Sequence, residues 1–497
     1  MVTTPEWVQD AIFYQVFPDR FARSSRNPNA HLPFEPWDSP PTVHGFKGGD
    51  LYGVLERLEY LQDLGVTAIY FNPIFASASN HRYHTYDYYK VDPLLGGDEA
   101  FRLLLAQAHQ RGMRIVLDGV FNHASRGFWQ FHHVLETGGA SPYRDWFHFD
   151  PDRLSGKKPW GAYPDPQAME AIKRYGSLKG IGYQAWWDLP ALPKFNTATP
   201  AVREFLFGVA EHWIKVGIDG WRLDVPAEID DDSFWQEFRR RVKTLNPEAY
   251  LVGEIWQEAH RWLQGDQFDG VMNYLISAAA LSFFGGSNLD PQVVQPAWEI
   301  ARRLRPGMSA EEFAAETERL LHLYAPEIVR SQLNLLDSHD TARFLTCVRG
   351  DRDALKLAWL YLLTLPGAPC IFYGDEIGLQ GGHDPACRQA FPWDESRWDQ
   401  ELRSYLKAAI SLRKAHPALR RGTFERVAAA DGMVAYRRQL GEESLLMVLN
   451  AASGPRRLEV QQEAAVPQVL FGQVQSLEVA EGRVGVTAPA RSGVVIG

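Results

Sequence analysis

Short apolar runs alternate with helix-spaced segments along most of this 497-residue chain. Residues 11–17 and 66–71 are dense apolar stretches of strand length, the second stopped by Asn72-Pro73. Between them, a Pro/Asn/Ser-rich stretch from Pro18 to about Asp50 precedes a helical pattern over residues 51–64. Gly65 follows where a helix C-terminus favours glycine. The unit then repeats. Helices are expected at 99–111, 201–216, 232–245 and 351–365, with a longer helical region running to about Tyr324. Strands are expected at 113–117, 217–225, 250–256, 269–274, 331–336 and 368–373.

Eight strands alternating with helices predict parallel strands joined by crossover helices. Eight such units predict a closed (β/α)8 TIM barrel, with an open doubly wound sheet as the rival arrangement. Two regions break the rhythm. Residues 124–189 are aromatic and rich in Gly and Pro, too long for a plain loop, and read as a subdomain inserted after strand 3. Residues 416–497 carry short Val/Leu-rich runs broken by Gly and Ser, which predicts a C-terminal antiparallel β-sandwich. The barrel itself then comprises residues 1–123 and 190–415.

The strand at 217–225 delivers Arg222 and Asp224 two residues apart, on one face. Alone, Arg-x-Asp reads as a structural ion pair. Three further acids, Asp118, Glu254 and Asp340, also fall at or just past strand ends. Strand C-terminal ends are where barrel active sites are built.

Composition narrows the class of function. A formal net charge of −10 gives no reason to expect nucleic acid or an anionic membrane as partner, and no apolar run reaches membrane-spanning length. Three cysteines without metal-type spacing read as reduced, and the first residues lack a basic start and an apolar stretch, so a cytoplasmic location is expected. Sixteen tryptophans suit a carbohydrate ligand, whose C–H faces stack on flat rings.

Four motifs then carry a resemblance: Asp118-Gly119-Val120-Phe121-Asn122-His123, Gly220-Trp221-Arg222-Leu223-Asp224, Gly253-Glu254-Ile255-Trp256 and Leu336-Asp337-Ser338-His339-Asp340. In this order the chain resembles the α-amylase family of glycoside hydrolases (family 13). Leu192-Pro193-Lys194-Phe195-Asn196 and the segment from Asp384 to Arg388 are similar to its neopullulanase, cyclomaltodextrinase and maltogenic amylase branch. The resemblance implies a retaining hydrolase of α-1,4 links in cyclodextrins, pullulan and maltooligosaccharides, with some transglycosylation. It implies Asp224 as nucleophile, Glu254 as general acid and base, and Asp340 as the third acid that grips sugar hydroxyls. Arg222 is expected to keep Asp224 ionised, and Asp118 to organise Arg222.

The same resemblance places His123 and His339 on hydroxyls of the cleaved sugar, and Tyr83 under that sugar with His81 beside it. Core packing is the alternative for Tyr83. Asp384 and Arg388 are expected at the next sugar outward, a surface salt bridge being the alternative. Glu228 and Trp256 are expected on the aglycone side. No cofactor is required. Where relatives offer a calcium loop, Arg23 is poorly suited, leaving Asn29 and Asp50 as candidate ligands. Relatives usually add an N-terminal β-domain, often used in dimerisation, whereas the first strand here starts near Ala11; the oligomeric state stays open. An α-glucosidase or general α-amylase is the alternative on the same machinery. A catalytically inactive glycan-binding or transporter-associated barrel is the non-enzyme alternative, although it would be expected to have lost the acids.

Overall fold

The computed structural model describes residues 2–461, 467–480 and 482–497. Strands β1 (Phe13–Val16), β2 (Ala68–Phe71), β3 (Arg114–Gly119), β4 (Gly220–Leu223), β5 (Tyr250–Gly253), β6 (Gly270–Asn273), β7 (Leu333–Leu335) and β8 (Ala368–Phe372) are all predicted elements. They close in chain order into a parallel barrel, with β8 pairing back onto β1 through Phe13 and Cys370. Helices cover the outer face and side chains fill the inside, so the strands are buried almost throughout and read as continuous apolar runs.

The helix ends follow glycine. Gly65 and Gly217, at φ 100° and 118°, terminate Leu58–Leu64 and Pro200–Val216 in the left-handed region. Gly220 has a packing role: a Cβ there would lie 2.3 Å from the Tyr250 carbonyl oxygen, so the close approach of β4 to β5 requires glycine.

Two predicted helices are interrupted. Residues 51–64 form Leu51–Glu56 and Leu58–Leu64, with Arg57 between them at φ −106° and its guanidinium 4.0 Å from the Trp393 ring centroid. The region after β6 breaks into Tyr274–Phe284, three single turns and Ala310–Leu321, interrupted at Gly285-Gly286 and at Pro306-Gly307.

Between β3 and Pro200–Val216 lies the aromatic excursion, with helices Trp129–Thr137 and Pro166–Tyr175 around buried Phe128, Phe131, Phe147, Tyr183 and Phe195. The bridge His123–Lys194 sets its return beside its departure. The C-terminal region holds β9 (Thr423–Ala430), β10 (Met433–Leu440), β11 (Glu443–Asn450), β12 (Arg456–Gln461), β13 (Val469–Phe471), β14 (Ser476–Ala480), β15 (Arg483–Ala488) and β16 (Ser492–Ile496). They make two antiparallel sheets, β9-β10-β11-β16-β13 and β12-β15-β14, with Met433, Val448, Val460, Val486 and Val494 packed in one cluster.

Two buried arginines stitch this region to the barrel. Arg413 donates to the carbonyls of Leu363, Leu365, Leu419 and Gly367, the first at the C-terminus of helix Arg352–Thr364. Arg438, on β10, donates to those of Thr364, Leu419, Gly422 and Thr423. The orphan carbonyls that end a helix are thus capped by side chains from outside it. No helix among the described residues is long and apolar enough to cross a membrane.

Candidate active site

The barrel register brings the charges together. In the β3–β4 pair Asp118 stands opposite Arg222, and in the β4–β5 pair Arg222 stands opposite Val252. Asp224 and Glu254 each follow one residue after a strand end. Arg222 Nη1 donates to both Asp118 oxygens at 2.9 and 3.0 Å and to Asp224 Oδ1 at 2.9 Å. Its Nη2 lies 3.0 Å from Glu254 Oε2. One fully buried guanidinium therefore serves three carboxylates.

Arg222, expected to keep Asp224 ionised and oriented, does act in that sense, but it is one influence among several. Burial pushes the Asp224 carboxyl well above its ordinary range; Arg222 opposes the rise, while the charges of Glu254, Asp118 and Asp340 add to it. Burial also raises Glu254, with Asp340 adding, and lifts Asp118 to about 6. The three carboxyls lie on one guanidinium and feel each other's charge, so they titrate as a unit. Glu254 accepts from Val225 N–H and Trp256 Nε1, each at 3.0 Å.

A second layer of polar groups faces this cluster. Tyr83 Oη donates to Asp118 Oδ2 at 2.8 Å and lies 2.6 Å from His339 Nε2, with the two rings stacked at 7°. Gln15 Nε2 donates to Asn72 Oδ1 and lies 2.8 Å from His339 Nδ1, which leaves the His339 proton on Nε2. Burial holds His339 well below its ordinary pKa, with Arg388 and Arg222 adding, so the ring is neutral. Asp340 is met by His339 Nε2 at 3.1 Å and Arg388 Nη2 at 3.2 Å.

His123 is buried and stacks on Trp186 at 5.0 Å, its Nε2 without a protein partner, and burial lowers its pKa to about 3. His81 sits beside Tyr83 with ring centroids 5.6 Å apart, its Nδ1 accepting from the Tyr83 amide.

The outer predictions fare differently. Arg388 is buried and joins Asp340 to the exposed Asp384, at 3.0 Å from the latter, so this pair runs from the acid cluster to the surface. Trp256 stacks on Tyr274 at 3.8 Å next to Glu254. Glu228 is set apart from the cluster: it is exposed and paired with Lys194 at 3.4 Å.

Gln15, Tyr70, Asn72 and Tyr274 also contact the cluster or its partners, and sequence reasoning did not single them out. Gln15 did carry a signal, being the lone polar residue within an apolar strand. Tyr70 and Asn72 share one face of the β2 direction, two residues apart; Tyr70 Oη donates to Asp118 at 3.0 Å.

The calcium ligands left open by the sequence do not converge. Asp50 accepts from the Ser24 and Gly53 amides, and the Asn29 side chain donates to Pro93 O. Side-chain cations hold this loop: Arg20 and Arg23 donate to the carbonyls of Gly45, Lys47 and Glu35, and the buried ammonium of Lys47 donates to Pro36 O at 2.7 Å, Ser39 O at 2.8 Å and Ser39 Oγ at 2.5 Å. Among the described residues no group of three or more His, Cys, Asp or Glu is placed to hold a metal ion. The donor set does not fit calcium here.

Residues 15–417 match the family profile described as alpha amylase, catalytic domain. The cyclomaltodextrinase of Geobacillus thermopakistaniensis (strain MAS1) is 42% identical over 455 residues, 90% of this chain and 70% of that one. Neopullulanase 2 of Thermoactinomyces vulgaris is 43% identical over 423 residues, 84% of this chain and 65% of that one. Among solved structures, the native debranching enzyme of Nostoc punctiforme superposes with a TM-score of 0.89 at 45% identity, covering 100% of both chains.

Proposed function

The chain belongs to the α-amylase family of glycoside hydrolases, and from that premise we propose that it is a retaining enzyme that opens cyclodextrins and cuts α-1,4 links in pullulan and maltooligosaccharides. The observation that carries this reading is the Arg222 guanidinium bridging Asp224 and Glu254. Carboxyls held on one guanidinium suit the short separation, about 5–5.5 Å, of a retaining pair; an inverting pair needs room for a water.

In the first step Glu254 gives its proton to the glycosidic oxygen while Asp224 attacks C1, forming a covalent glycosyl-enzyme. In the second, Glu254 takes a proton from water, which attacks C1 and releases Asp224. A sugar acceptor in place of water gives transglycosylation. Neutral His123 and His339 offer hydrogen bonds to the hydroxyls of that sugar, Asp340 grips them from the far side, and the Tyr83 ring lies below. Trp256 and Glu228 are assigned to the aglycone side, Glu228 at its rim. Asp384 acts through Arg388. We further propose that no metal or cofactor is required, on the engagement of Asp50, Asn29 and Lys47 described above. A cytosolic location is proposed on the three buried free cysteines, which suit a reducing compartment.

A second reading, cleavage of α-1,6 links, is favoured by the full-length likeness to the Nostoc debranching enzyme. Pullulan separates the two, since its α-1,4 cleavage gives panose and its α-1,6 cleavage gives maltotriose. β-Cyclodextrin, pullulan and soluble starch should be compared side by side, with Asp224→Asn as control. Fast cyclodextrin opening, panose from pullulan and a control reduced roughly 10⁴-fold or more are expected. Preference for starch would move the enzyme towards general α-amylases, and maltotriose would establish the second reading.

A further inference from the structure

Val225 stands between Asp224 and Pro226 at φ 35°, ψ 51°. The left-handed region is hostile to a β-branched side chain, and a following proline disfavours compact conformations further. Among the described residues, Val225 is the one β-branched residue with positive φ. Both sides of this residue are tied down. Its amide donates to Glu254 Oε2 at 3.0 Å, and its carbonyl accepts from the Glu228 amide at 3.0 Å, closing the single turn Pro226–Glu228. Keeping the amide on Glu254 while the chain turns at once into Pro226 demands the positive φ. Strain of this kind persists where the surroundings over-determine it, and such places cluster at functional sites.

The consequence is an asymmetry within one carboxyl group. Oε2 accepts from the Val225 amide at 3.0 Å and has the positive Arg222 Nη2 3.0 Å away as an ion-pair neighbour. Oε1 accepts from Trp256 Nε1. Oε2 faces both an amide N–H and the Arg222 charge, which disfavours a proton there, so a proton on this carboxyl belongs on Oε1. We propose that Val225 is a positioning residue for proton transfer: its amide pins Oε2 inward, so that the proton exchanged with substrate and water travels on Oε1. The inference rests on the retaining-hydrolase reading above and concerns a backbone group, not a side chain.

Two forms of the full chain test it. An ester in place of the amide between residues 224 and 225, installed with the hydroxy-acid analogue of valine, deletes the N–H and keeps the isopropyl group. Val225→Gly keeps the N–H and accepts a positive φ without strain. The ester form should lose about tenfold in kcat on maltotriose, the scale of one hydrogen bond to a charged group, with KM little changed. The alkaline limb of its pH profile should move up, because a donor favouring the charged carboxylate is gone.

With 4-nitrophenyl α-maltoside, whose leaving group needs no proton, azide should restore turnover. Azide forms the C1–N bond as the C1–O bond to Asp224 breaks; the carboxylate departs with the electron pair and no base is involved. An α-maltosyl azide product reports a Glu254 defect, whereas the β anomer would place the damage on Asp224 and overturn the proposal. Val225→Gly should melt no lower than the wild type and lose less kcat than the ester form, since it keeps the N–H. An ester form with unchanged kcat and pH limb overturns the proposal, as does a glycine variant that loses as much as the ester without azide recovery. Wild-type inactivity on every α-glucan would sink the underlying reading as well; an active wild type with an unimpaired ester sinks this inference alone.

Discussion

Arg222 and Arg438 are each fully buried, yet they keep opposite company. Arg222 faces three carboxylates at the barrel mouth. Arg438, with Arg413 beside it, meets backbone carbonyls alone at the joint with the C-terminal sheets, and neither forms an ion pair among the described residues. The acids hold the Arg222 proton more firmly than in water, whereas burial without a counter-charge lowers Arg413 and Arg438 to about 9. All three stay charged at neutral pH. The difference lies in what the neighbours can do. Carboxylates exchange protons and attack carbon; peptide carbonyls do neither. A buried guanidinium therefore marks chemistry in one place and architecture in the other, and its partners tell them apart.

The largest effect that sharpens this contrast is expected on turnover. Arg222→Lys replaces a fork by a point charge that cannot reach three carboxylates, so kcat should fall by roughly 10²-fold or more while the protein stays folded. Arg438→Met should do the reverse. It strips the donor from four carbonyls and should cost about 3 kcal/mol in urea unfolding, with kcat/KM unchanged on the folded enzyme. An Arg438→Met enzyme that kept its stability but lost activity would break the comparison.

The smallest effect is a pH dependence. Asp118 rises from 3.8 in the unfolded chain to about 6 in the fold, so the native state binds its proton more tightly. Its contribution to stability is fully present below pH 3.8 and is lost as pH climbs through 6. Asp118→Asn should remove that decline from unfolding measurements across the window. Arg438→Met should leave it in place.

Much of this was legible before any coordinates. The eight strands announced themselves because both their faces are covered, which turns each into a largely apolar run, several of them leading into an acid. Asp118, Asp224, Glu254, His339 and Asp340 were visible as motif members, and the structure brings them together. What the sequence could not convey was sharing. That one Arg222 serves Asp118, Asp224 and Glu254 depends on the register of β3, β4 and β5, set by strand contacts far apart in the chain. The same holds for Gln15, which fixes the His339 tautomer from 324 residues away. The break at Arg57 was hidden because its helix-spaced pattern continues across a kink accompanied by stacking on Trp393, a residue of a distant loop. Glu228 was expected on the aglycone side; its exposure and its pairing with Lys194 follow from the turn that begins at Val225, which the sequence did not reveal.

The caged ammonium of Lys47 has a consequence of its own. A loop held by a dissociable ion is only as well formed as the free ion concentration allows, and its stability follows the logarithm of that concentration. Here the ion is covalently part of the loop, and its effective concentration is set by the chain. The segment it organises passes Val43 and Gly45 oxygens to Asn80, next to His81 at the mouth of the site. The part of the entrance that Lys47 holds thus keeps its shape by an internal equilibrium that does not vary with dilution.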